Sequence, residues 1–457
     1  MGKKSELLFI LVLLIVSGWL RFAQLGYSHF YGDETKTLYL RKDVSATNFL
    51  MNQRKGPIQF LVVWTMEKLS GGFGEAMVRL PFAVAGTVLV VLFYVFVRSQ
   101  FGVKTAVFAS LFFSFSGFNI AFSRTAQYQV FYLLFGFLAL ILAQKSKLFW
   151  SAMAMGLALL SHYDGLFFCI PLYFSVNRKT FLRIMLLALL IAGFFYLPAI
   201  WLGYFKTNVI GYLSKRAAGE GYSKNNSLYT LLVYHPLYIF LTSVGLWSVI
   251  GLLKPPRSQI GKSLIFWFLV PFVVFQFFTL NPGTHIHNYL IPLYIAAGLA
   301  LAGISKRLSG LVYPLLALIY LIILAIQAWV FVPQVNTGYP WQKAYLLGLP
   351  LDRVSNNYHL YLYGFPYDRE WDKIGAYFAS LKGVRNFYTN DNETVAEYYL
   401  NVVPYSAPGT DFWPQYYIEI ADPQELKKKD DIPKSRYELV LTDEISKAKI
   451  YKKLPYD

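Results

Sequence analysis

The strongest constraint on this sequence is a series of apolar segments long enough to cross a lipid bilayer. A helix needs about 20 mostly apolar residues to do so. The first segment is Leu7–Leu20, and further candidates are Ala76–Val97, Thr105–Phe122, Tyr128–Ala143, Ile184–Leu202, Leu228–Leu253, Ser263–Leu280, Tyr289–Ile304 and Leu311–Val332. The chain of 457 residues is 56% hydrophobic and 15% charged, which favours a polytopic membrane protein over a large soluble core.

The apolar block between Lys147 and Arg178 needs separate treatment, because the polar quartet "SHYD" (161–164) interrupts it. A single span would bury four polar residues at mid-bilayer, which is expensive unless they face a cavity. A tight hairpin of two short helices avoids that cost and keeps the basic residues at both ends on one side. With this hairpin, the sequence predicts about eleven transmembrane helices.

Basic residues fix the predicted orientation. The net charge is +17, but Lys and Arg collect in short segments between the apolar runs: Arg98 and Lys104; Lys145 and Lys147; Arg178, Lys179 and Arg183; Lys254, Arg257 and Lys262; Lys306 and Arg307. This is the positive-inside pattern, so the charge reports topology and not a nucleic-acid partner. We expect a multi-pass plasma-membrane protein with a cytoplasmic N-terminus.

The segment after Pro333 changes character and lacks a further membrane-length run. It alternates strand-like pieces, "YHLYLYGF" and "YELVLTD", with a helix predicted around Trp371–Leu381. The predicted fold is therefore an all-α polytopic bundle (residues 1–333) with a small C-terminal α/β domain (334–457) on the extracytoplasmic face. Cys169 is the only cysteine, which excludes an intramolecular disulfide.

Two adjacent acids, Asp33 and Glu34, lie in the predicted first outer loop (21–75), directly after Tyr31. A solvated acidic pair is one interpretation, since loops are ordinarily polar. The same loop contains Arg54 and Lys55, which are either snorkelling anchors or ligands for a phosphate at headgroup height. The second interpretation makes this loop a candidate catalytic site.

Other polar residues are predicted at the same membrane face. Arg124 lies outside against the positive-inside bias and either meets a lipid headgroup or completes a cationic pocket with Lys55. His162 lies at the hairpin tip. His285 and His287 suggest metal together with Asp33, but a contact to phosphate or sugar is favoured over a metal site. The loop Tyr204–Ser227 is either a lid over the site or a solvated connection.

Several of these segments resemble one family, the type C glycosyltransferases that include protein O-mannosyltransferases and lipid A aminoarabinose transferases. The resemblance rests on "YGDETKTLYL", "RKGPIQFLVVW", "EAMVRLPFAVAG", "SRTAQYQVFYLLF", "LLSHYDGLFF" and "HNYLIPLYIAAG". It covers roughly Leu7 to Ile304. This chain departs from the family pattern at Gly56, which replaces a proline, at His162 for Lys, at Gln129 for Asp and at Asn288 for Arg.

The resemblance implies transfer of a sugar from a polyprenyl-phosphate donor to a hydroxyl of a lipid, glycan or protein, with inversion and without a cofactor. Asp33 is the expected general base and Glu34 the second candidate. The expected ligands of the lipid phosphate are Lys55, Arg54, Arg124 and His162. Further substrate contacts are expected from Tyr31, Arg79, Tyr163, His285, His287 and Tyr289.

Other functions remain open from the sequence. A transporter or flippase also carries intramembrane charges, although here the polar groups collect at one face and no paired halves are evident. A non-catalytic scaffold that presents the outer domain is a second alternative. A ligase that uses a diphosphate-linked glycan is a third.

Overall fold

The computed structural model describes residues 2–39, 44–218, 259–279, 283–307, 310, 312–331, 345–346, 349–350, 369–402, 413–421, 423, 434–444 and 447–455. Several predicted features lie wholly or partly outside these residues, among them the helix Leu228–Leu253, the strand "YHLYLYGF", the part of the predicted lid after residue 218, and positions 40–43 of the predicted first outer loop.

The N-terminal part is helical. Its first helices are α1 (Lys3–Phe22), α2 (Gly32–Thr35), α3 (Ala46–Met51), α4 (Ile58–Ser70), α5 (Glu75–Phe101), α6 (Val103–Phe115), α7 (Gly117–Ser123) and α8 (Gln129–Gln144). Those that follow are α9 (Leu148–Ser161), α10 (Cys169–Ser175), α11 (Arg178–Trp201), α12 (Gly211–Ala218), α13 (Gln259–Phe277), α14 (His287–Arg307) and α15 (Val312–Phe331). Within this bundle α8 packs against α5 and α9, α9 against α11, and α14 against α6.

Four helices among the described residues are long and apolar enough to cross a membrane. They are Lys3–Phe22, Glu75–Phe101, Arg178–Trp201 and His287–Ser305, and the bent pair α6–α7 makes a fifth if it is one span. Shorter apolar helices lie at Gln129–Gln144, Leu148–Ser161, Gly261–Phe277 and Pro314–Ala325. The predicted total of about eleven stays a prediction.

The predicted span Thr105–Phe122 is broken at Ser116, where α6 and α7 meet at 61°. Ser116 has an extended backbone, and its hydroxyl accepts a hydrogen bond from Tyr294 of α14 at 2.7 Å. The side-chain amide of Asn119 donates to the carbonyl of Phe113 at 3.0 Å. A sharp bend needs such replacement partners for the backbone groups that it releases.

Apolar side chains cover the outside of the bundle. On α11, Leu186, Leu190, Phe194 and Trp201 are between 58% and 90% exposed, and α1 presents Leu7 in the same way. Large apolar side chains that are exposed along one helix in this way are typical of a surface that does not face water. The described helices therefore form a membrane-embedded body.

Some consecutive helices of this bundle are joined by only a few residues. Lys145 and Lys147 lie between α8 and α9, and Arg178 begins α11. Helices joined by so few residues run antiparallel to each other. The basic turns consequently lie at one end of the bundle, and the first outer loop, residues 124–128 and the hairpin tip 162–168 lie at the other. Which end faces the cytoplasm stays a prediction.

The C-terminal part contains a small α/β unit. Its four-stranded sheet has the order β3-β4-β6-β5, with β3 (Phe387–Thr389) parallel to β4 (Tyr416–Glu419), and with β5 (Tyr437–Thr442) and β6 (Lys449–Lys453) antiparallel. Helices α16 (Trp371–Ser380) and α17 (Glu393–Leu400) cover one face around Trp371. The predicted helix and the strand "YELVLTD" are both present. Separately, the two-residue strands β1 (Tyr345–Leu346) and β2 (Leu349–Pro350) pair antiparallel.

This α/β unit contacts the first outer loop directly. The hydroxyls of Thr394 and Thr35 are 2.7 Å apart, and the hydroxyl of Tyr399 accepts the backbone N–H of Phe30 at 2.8 Å. A Cβ atom on Gly32 would lie 2.5 Å from the amide nitrogen of Asn392. Helix α17 therefore lies against α2, the short helix that contains both acids of the loop.

This contact predicts the effect of Gly32→Ala. The added methyl group would overlap Asn392, and such overpacking typically costs about 1–3 kcal/mol. We expect a lower apparent melting temperature in detergent and faster proteolysis of the C-terminal unit. Gly72→Ala is the matched control, because a Cβ there meets nothing within 4 Å. Equal stability of the two variants would contradict the described contact.

Candidate active site

At the end of the bundle that carries the loop 21–75, the centre is a buried ion pair between Glu34 and Arg79. Glu34 is 0% and Arg79 1% exposed. The Nε and Nη2 atoms of Arg79 donate to the two oxygens of Glu34 at 2.9 and 2.8 Å. This is the bidentate geometry that makes an arginine–carboxylate contact strong and directional.

The other donors of Arg79 hold the chain that precedes α2. Its Nη1 donates to the carbonyls of Leu25 and Ser28, at 3.2 and 2.7 Å, and its Nη2 donates to the carbonyl of His29 at 2.8 Å. All five N–H groups of the guanidinium are thereby used. Arg79 thus holds the loop, and the contact with substrate that the resemblance implies for it stays a prediction.

The hydrogen-bonding capacity of the Glu34 carboxylate is also fully used. Besides Arg79, it accepts the backbone N–H of Tyr31 at 2.8 Å, which forms a capping box at the start of α2. It also accepts the N–H of Ala126, at 2.8 Å, from the loop between α7 and α8. Its oxygens thus receive four hydrogen bonds, and no lone pair is left to accept a proton from an acceptor hydroxyl.

Asp33, the neighbour of Glu34, points to a different environment. Its side chain is 31% exposed, and its two oxygens lie 2.9 Å from the Nζ of Lys36 and 3.5 Å from the Nζ of Lys55. The sequence predicted Asp33 and Lys55 to share one site, and the structure brings them together although 21 residues separate them. The accessible acid and the buried acid are consecutive, because α2 directs successive side chains to different faces.

The charges around Asp33 keep it ionised. Burial acts to raise the pKa of its carboxyl, but Lys36, Lys55 and Arg54 together hold that pKa well below its usual range. For Lys55, burial is the largest effect, and the attraction of Asp33 only partly offsets it. The pKa of Lys55 is lowered to about 8. At neutral pH the two groups form a carboxylate–ammonium pair.

The position of Lys55 depends on a close approach between two backbone segments. A Cβ atom on Gly56 would lie 1.8 Å from the carbonyl oxygen of Leu160, so only glycine fits where the loop crosses the end of α9. Lys55 donates to the side chain of Gln127 at 3.0 Å, and its Nζ lies 5.3 Å from the centre of the Tyr128 ring. Gln127 follows Ala126, the residue that Glu34 holds.

Two arginines predicted at the phosphate have other contacts. The guanidinium of Arg54 lies 4.0 Å from the centre of the Tyr212 ring in α12. Arg124 is buried and donates to the carbonyls of Leu20 and Gln24, at 3.0 and 3.4 Å, at the end of α1. These hydrogen bonds explain why an arginine is buried at this end of the bundle. The predicted contact of Arg124 with the phosphate stays a prediction.

A second polar cluster lies at the hairpin tip. The Oδ1 and Oδ2 atoms of buried Asp164 lie 3.2 Å from Nδ1 of His162 and 2.8 Å from Nδ1 of His285. The side-chain amide of Asn288 donates to Oδ2 at 2.9 Å, and Nε2 of His287 is 3.8 Å from the same oxygen. The carboxylate beside His285 is thus Asp164. The sequence-based combination of the two histidines with Asp33 is corrected accordingly.

This second cluster adjoins the first through an aromatic ring. Tyr128 stacks on His162 with ring centres 3.7 Å apart, and Lys55 lies near the same ring. Burial lowers the pKa of His162 to about 4. His162 is therefore neutral at physiological pH and contributes hydrogen bonds to its surroundings and no positive charge.

The remaining predicted tyrosines differ in environment. Tyr163 lies in the turn after His162, with its ring 6.0 Å from that of His285. Tyr289 is 0% exposed in α14, and its ring packs edge-on against Phe268 and Phe272. Its predicted contact with substrate stays a prediction, but its described neighbours are those of a core residue.

Sequence reasoning missed Gln127 and Asn288 as parts of these clusters, and it placed Asp164 beside His162 at the hairpin tip without giving it a role. Gln127 stands in the quoted segment "SRTAQYQ" beside Arg124, and Asp164 stands in "SHYD". Asn288 was noticed only as a departure from the family pattern. Their position at the ends of predicted helices was the available signal, because such ends converge at one face of a bundle.

Comparisons with known proteins agree with this architecture. Residues 54–202, about a third of the chain, match the family model described as dolichyl-phosphate-mannose-protein mannosyltransferase. ArnT from Cupriavidus metallidurans, bound to undecaprenyl phosphate, has a similar structure with a TM-score of 0.61 and 15% identity over 99% of this chain and 98% of that one. Its apo state gives a TM-score of 0.58, with 15% identity and 97% of both chains covered.

A third solved structure is similar. The archaeal oligosaccharyltransferase AglB from Archaeoglobus fulgidus, in complex with an inhibitory peptide and a dolichol-phosphate, has a TM-score of 0.55 and 12% identity, covering 92% of this chain and 69% of that one. No curated protein sequence matches the chain. The chain has the fold of the type C membrane glycosyltransferases, which confirms the resemblance found in its sequence.

The buried pair predicts a difference in stability between neighbouring acids. Glu34→Gln removes one partner and leaves the Arg79 charge buried and uncompensated, which typically costs about 3–5 kcal/mol. We expect a large drop in apparent melting temperature or loss of folded protein. The control is Glu444→Gln, which removes the same charge from an exposed position. A Glu34→Gln protein as stable as this control would show that the pair does not support the loop.

Proposed function

We propose that this chain is an integral membrane glycosyltransferase that moves a sugar from a polyprenyl-phosphate donor to an acceptor hydroxyl on the extracytoplasmic face. The observation that carries the proposal is the pair formed by Asp33 and Lys55. An ionised, partly exposed carboxylate lies 3.5 Å from an ammonium group at the outer end of an apolar bundle. That placement suits a substrate whose tail stays in lipid while its head reaches water.

Asp33 is the proposed general base. Its carboxylate removes the proton from the acceptor hydroxyl as the oxygen attacks the anomeric carbon. The bond between that carbon and the phosphate oxygen breaks in the same displacement, and polyprenyl phosphate leaves with the electron pair. A single displacement from the opposite side inverts the configuration at the anomeric carbon. Asp33 is the accessible member of the two acids, whereas the oxygens of Glu34 are occupied.

Lys55 is the proposed ligand of the departing phosphate. Negative charge grows on that group in the transition state, and a fixed ammonium group in a water-poor site stabilises it. Contact between Lys55 and the phosphate would also weaken its attraction to Asp33, which leaves the carboxylate oxygen available to the acceptor. The undecaprenyl phosphate and dolichol-phosphate bound to ArnT and AglB support a lipid phosphate as the partner.

Glu34 and Arg79 take a positioning role in this proposal. The ion pair fixes α2 and, through Ala126, the neighbouring Gln127 that contacts Lys55. Both proposed catalytic groups are thereby attached to one rigid point. The C-terminal unit, which contacts α2, lies beside the same site, and we propose that it helps to receive the acceptor.

The first test is Asp33→Asn in purified protein. Removal of a general base typically lowers the rate about 10²–10⁴-fold, so polyprenyl phosphate release from a panel of polyprenyl-phosphate sugars should fall by that factor. Donor binding should persist, because Lys55 is unchanged. Glu438→Gln, an exposed residue of β5, serves as the charge-matched control. Transfer at the unmodified rate by Asp33→Asn would refute the assignment.

The same assay separates the alternatives. A transporter or flippase would bind the donor without releasing polyprenyl phosphate, and its lipid would appear unaltered in the opposite leaflet. A scaffold would tolerate simultaneous replacement of Asp33 and Lys55. Release of polyprenyl phosphate that depends on Asp33 contradicts both.

The lowered pKa of Lys55 predicts a dependence on pH. Lys55 is protonated below about pH 8 and loses its charge as the pH rises through this value, whereas Asp33 stays ionised. Affinity for the donor should therefore fall on the alkaline side of pH 8. The guanidinium of Lys55→Arg stays protonated throughout this range, so the affinity of that variant for the donor should stay level between about pH 6 and about pH 10. Identical profiles for the two proteins would exclude Lys55 as the phosphate ligand.

A further inference from the structure

The cluster at the hairpin tip has a composition that the proposed transfer reaction does not require. His162, Asp164 and His285 are all buried, and candidate ligand atoms of the three lie within 4.8 Å of one another. They come from two separate parts of the chain. His162 and Asp164 lie at the end of α9, and His285 lies in the single turn Gly283–Ile286 before α14.

We propose that these three residues form a binding site for a divalent transition-metal ion, with Zn²⁺ as the best match. Two imidazole nitrogens and one carboxylate are a ligand set that zinc uses with a fourth position left for water or another ligand. The proposal concerns metal binding by itself and stands whether or not the protein transfers sugar.

The distances fit a coordination shell. Zinc binds nitrogen and carboxylate oxygen at about 2.0–2.2 Å, so neighbouring ligand atoms in a tetrahedral site are separated by about 3.3 Å. The Nδ1 atoms of His285 and His162 lie 2.8 and 3.2 Å from the two Asp164 oxygens. His287, whose Nε2 is 3.8 Å from Oδ2 of Asp164, is near enough to supply the fourth ligand after a small shift.

The hydrogen bonds around the cluster leave its ligands in the protonation state that a metal requires. The backbone N–H of Asp164 donates to Nδ1 of His162 at 3.1 Å, so this nitrogen carries no proton, and a bound metal would replace the N–H as the partner of its lone pair. A metal ligand must be unprotonated in this way. Asn288 orients the carboxylate by a hydrogen bond at 2.9 Å and in turn accepts the Tyr132 hydroxyl at 3.0 Å. Such outer contacts are usual around metal ligands.

The balance of charges around Asp164 also favours a bound cation. Asp164 is 1% exposed, and a buried carboxylate is costly unless a positive group accompanies it. Among the described residues, the side chains recorded as ionic or hydrogen-bond partners of its carboxylate are three imidazoles and one amide. None of these has the permanent charge of a lysine or an arginine. A divalent cation would supply the missing positive charge, whereas protonation of an imidazole is the competing explanation.

The location gives the ion a structural consequence. Bound metal would join the hairpin tip to the turn before α14. It would also fix the ring of His162, on which Tyr128 stacks beside Lys55. The site would therefore stiffen the wall of the proposed phosphate pocket without itself contacting the reacting atoms.

The test uses the full chain in detergent, with any histidine tag removed and the protein stripped by a chelator. Titration with ZnCl₂ should show one equivalent bound, and Co²⁺ should give visible absorption bands of a four-coordinate nitrogen–oxygen site. Asp164→Asn and His285→Ala should each weaken Zn²⁺ binding by about 100-fold or more, since even outer-shell changes cost 10–100-fold. Zn²⁺ should raise the apparent melting temperature of the unmodified protein only.

His29→Ala is the matched control. His29 also pairs with an aspartate, Asp372, at 3.1 Å, but it lies at the contact with the C-terminal unit. It should keep the bound equivalent and the Co²⁺ spectrum. If the unmodified protein binds no equivalent, or if Asp164→Asn and His285→Ala bind as tightly as it does, the proposal fails. The first of these outcomes does not depend on how the variants fold.

Discussion

The end of the bundle that carries the loop 21–75 is organised by one buried ion pair, Glu34 with Arg79. Both residues are buried, so each charge depends on the other for its stabilisation. Their hydrogen bonds extend to residues 25–29, to the start of α2 and to Ala126. Three separate segments are thus held to one point. The catalytic proposal depends on this, since Asp33 and Lys55 lie on two different stretches of the same loop.

Much of this architecture follows from the sequence, and the exceptions have physical reasons. Apolar length predicted most described helices, and the cost of a buried polar quartet predicted the hairpin at 161–164. The sequence does not indicate which of the two adjacent acids is buried, because the burial of Glu34 depends on its ion pair with Arg79, 45 residues away. The cluster around Asp164 was not predicted for the same reason, since Asp164 and His285 meet only after the chain has folded. The break at Ser116 depends on a hydroxyl from α14.

The C-terminal unit contacts the helical bundle more closely than its composition indicated. Its polar, tyrosine-rich sequence predicted a separate domain, and its boundaries stay a prediction. Yet Thr394, Asn392 and Tyr399 contact the segment 30–35, where the proposed base lies. The C-terminal unit and the helical bundle are therefore in contact at α2, beside the proposed base.

The contact between Gly56 and the carbonyl of Leu160 has a consequence for how this sequence can diverge. Any side chain at residue 56, a proline ring included, would collide with the final turn of α9 as it stands. Replacement at this position therefore requires α9 to be shortened or tilted. We expect residue 56 and the length of that helix to covary among homologues, as a pair of evolutionary choices that are open only together.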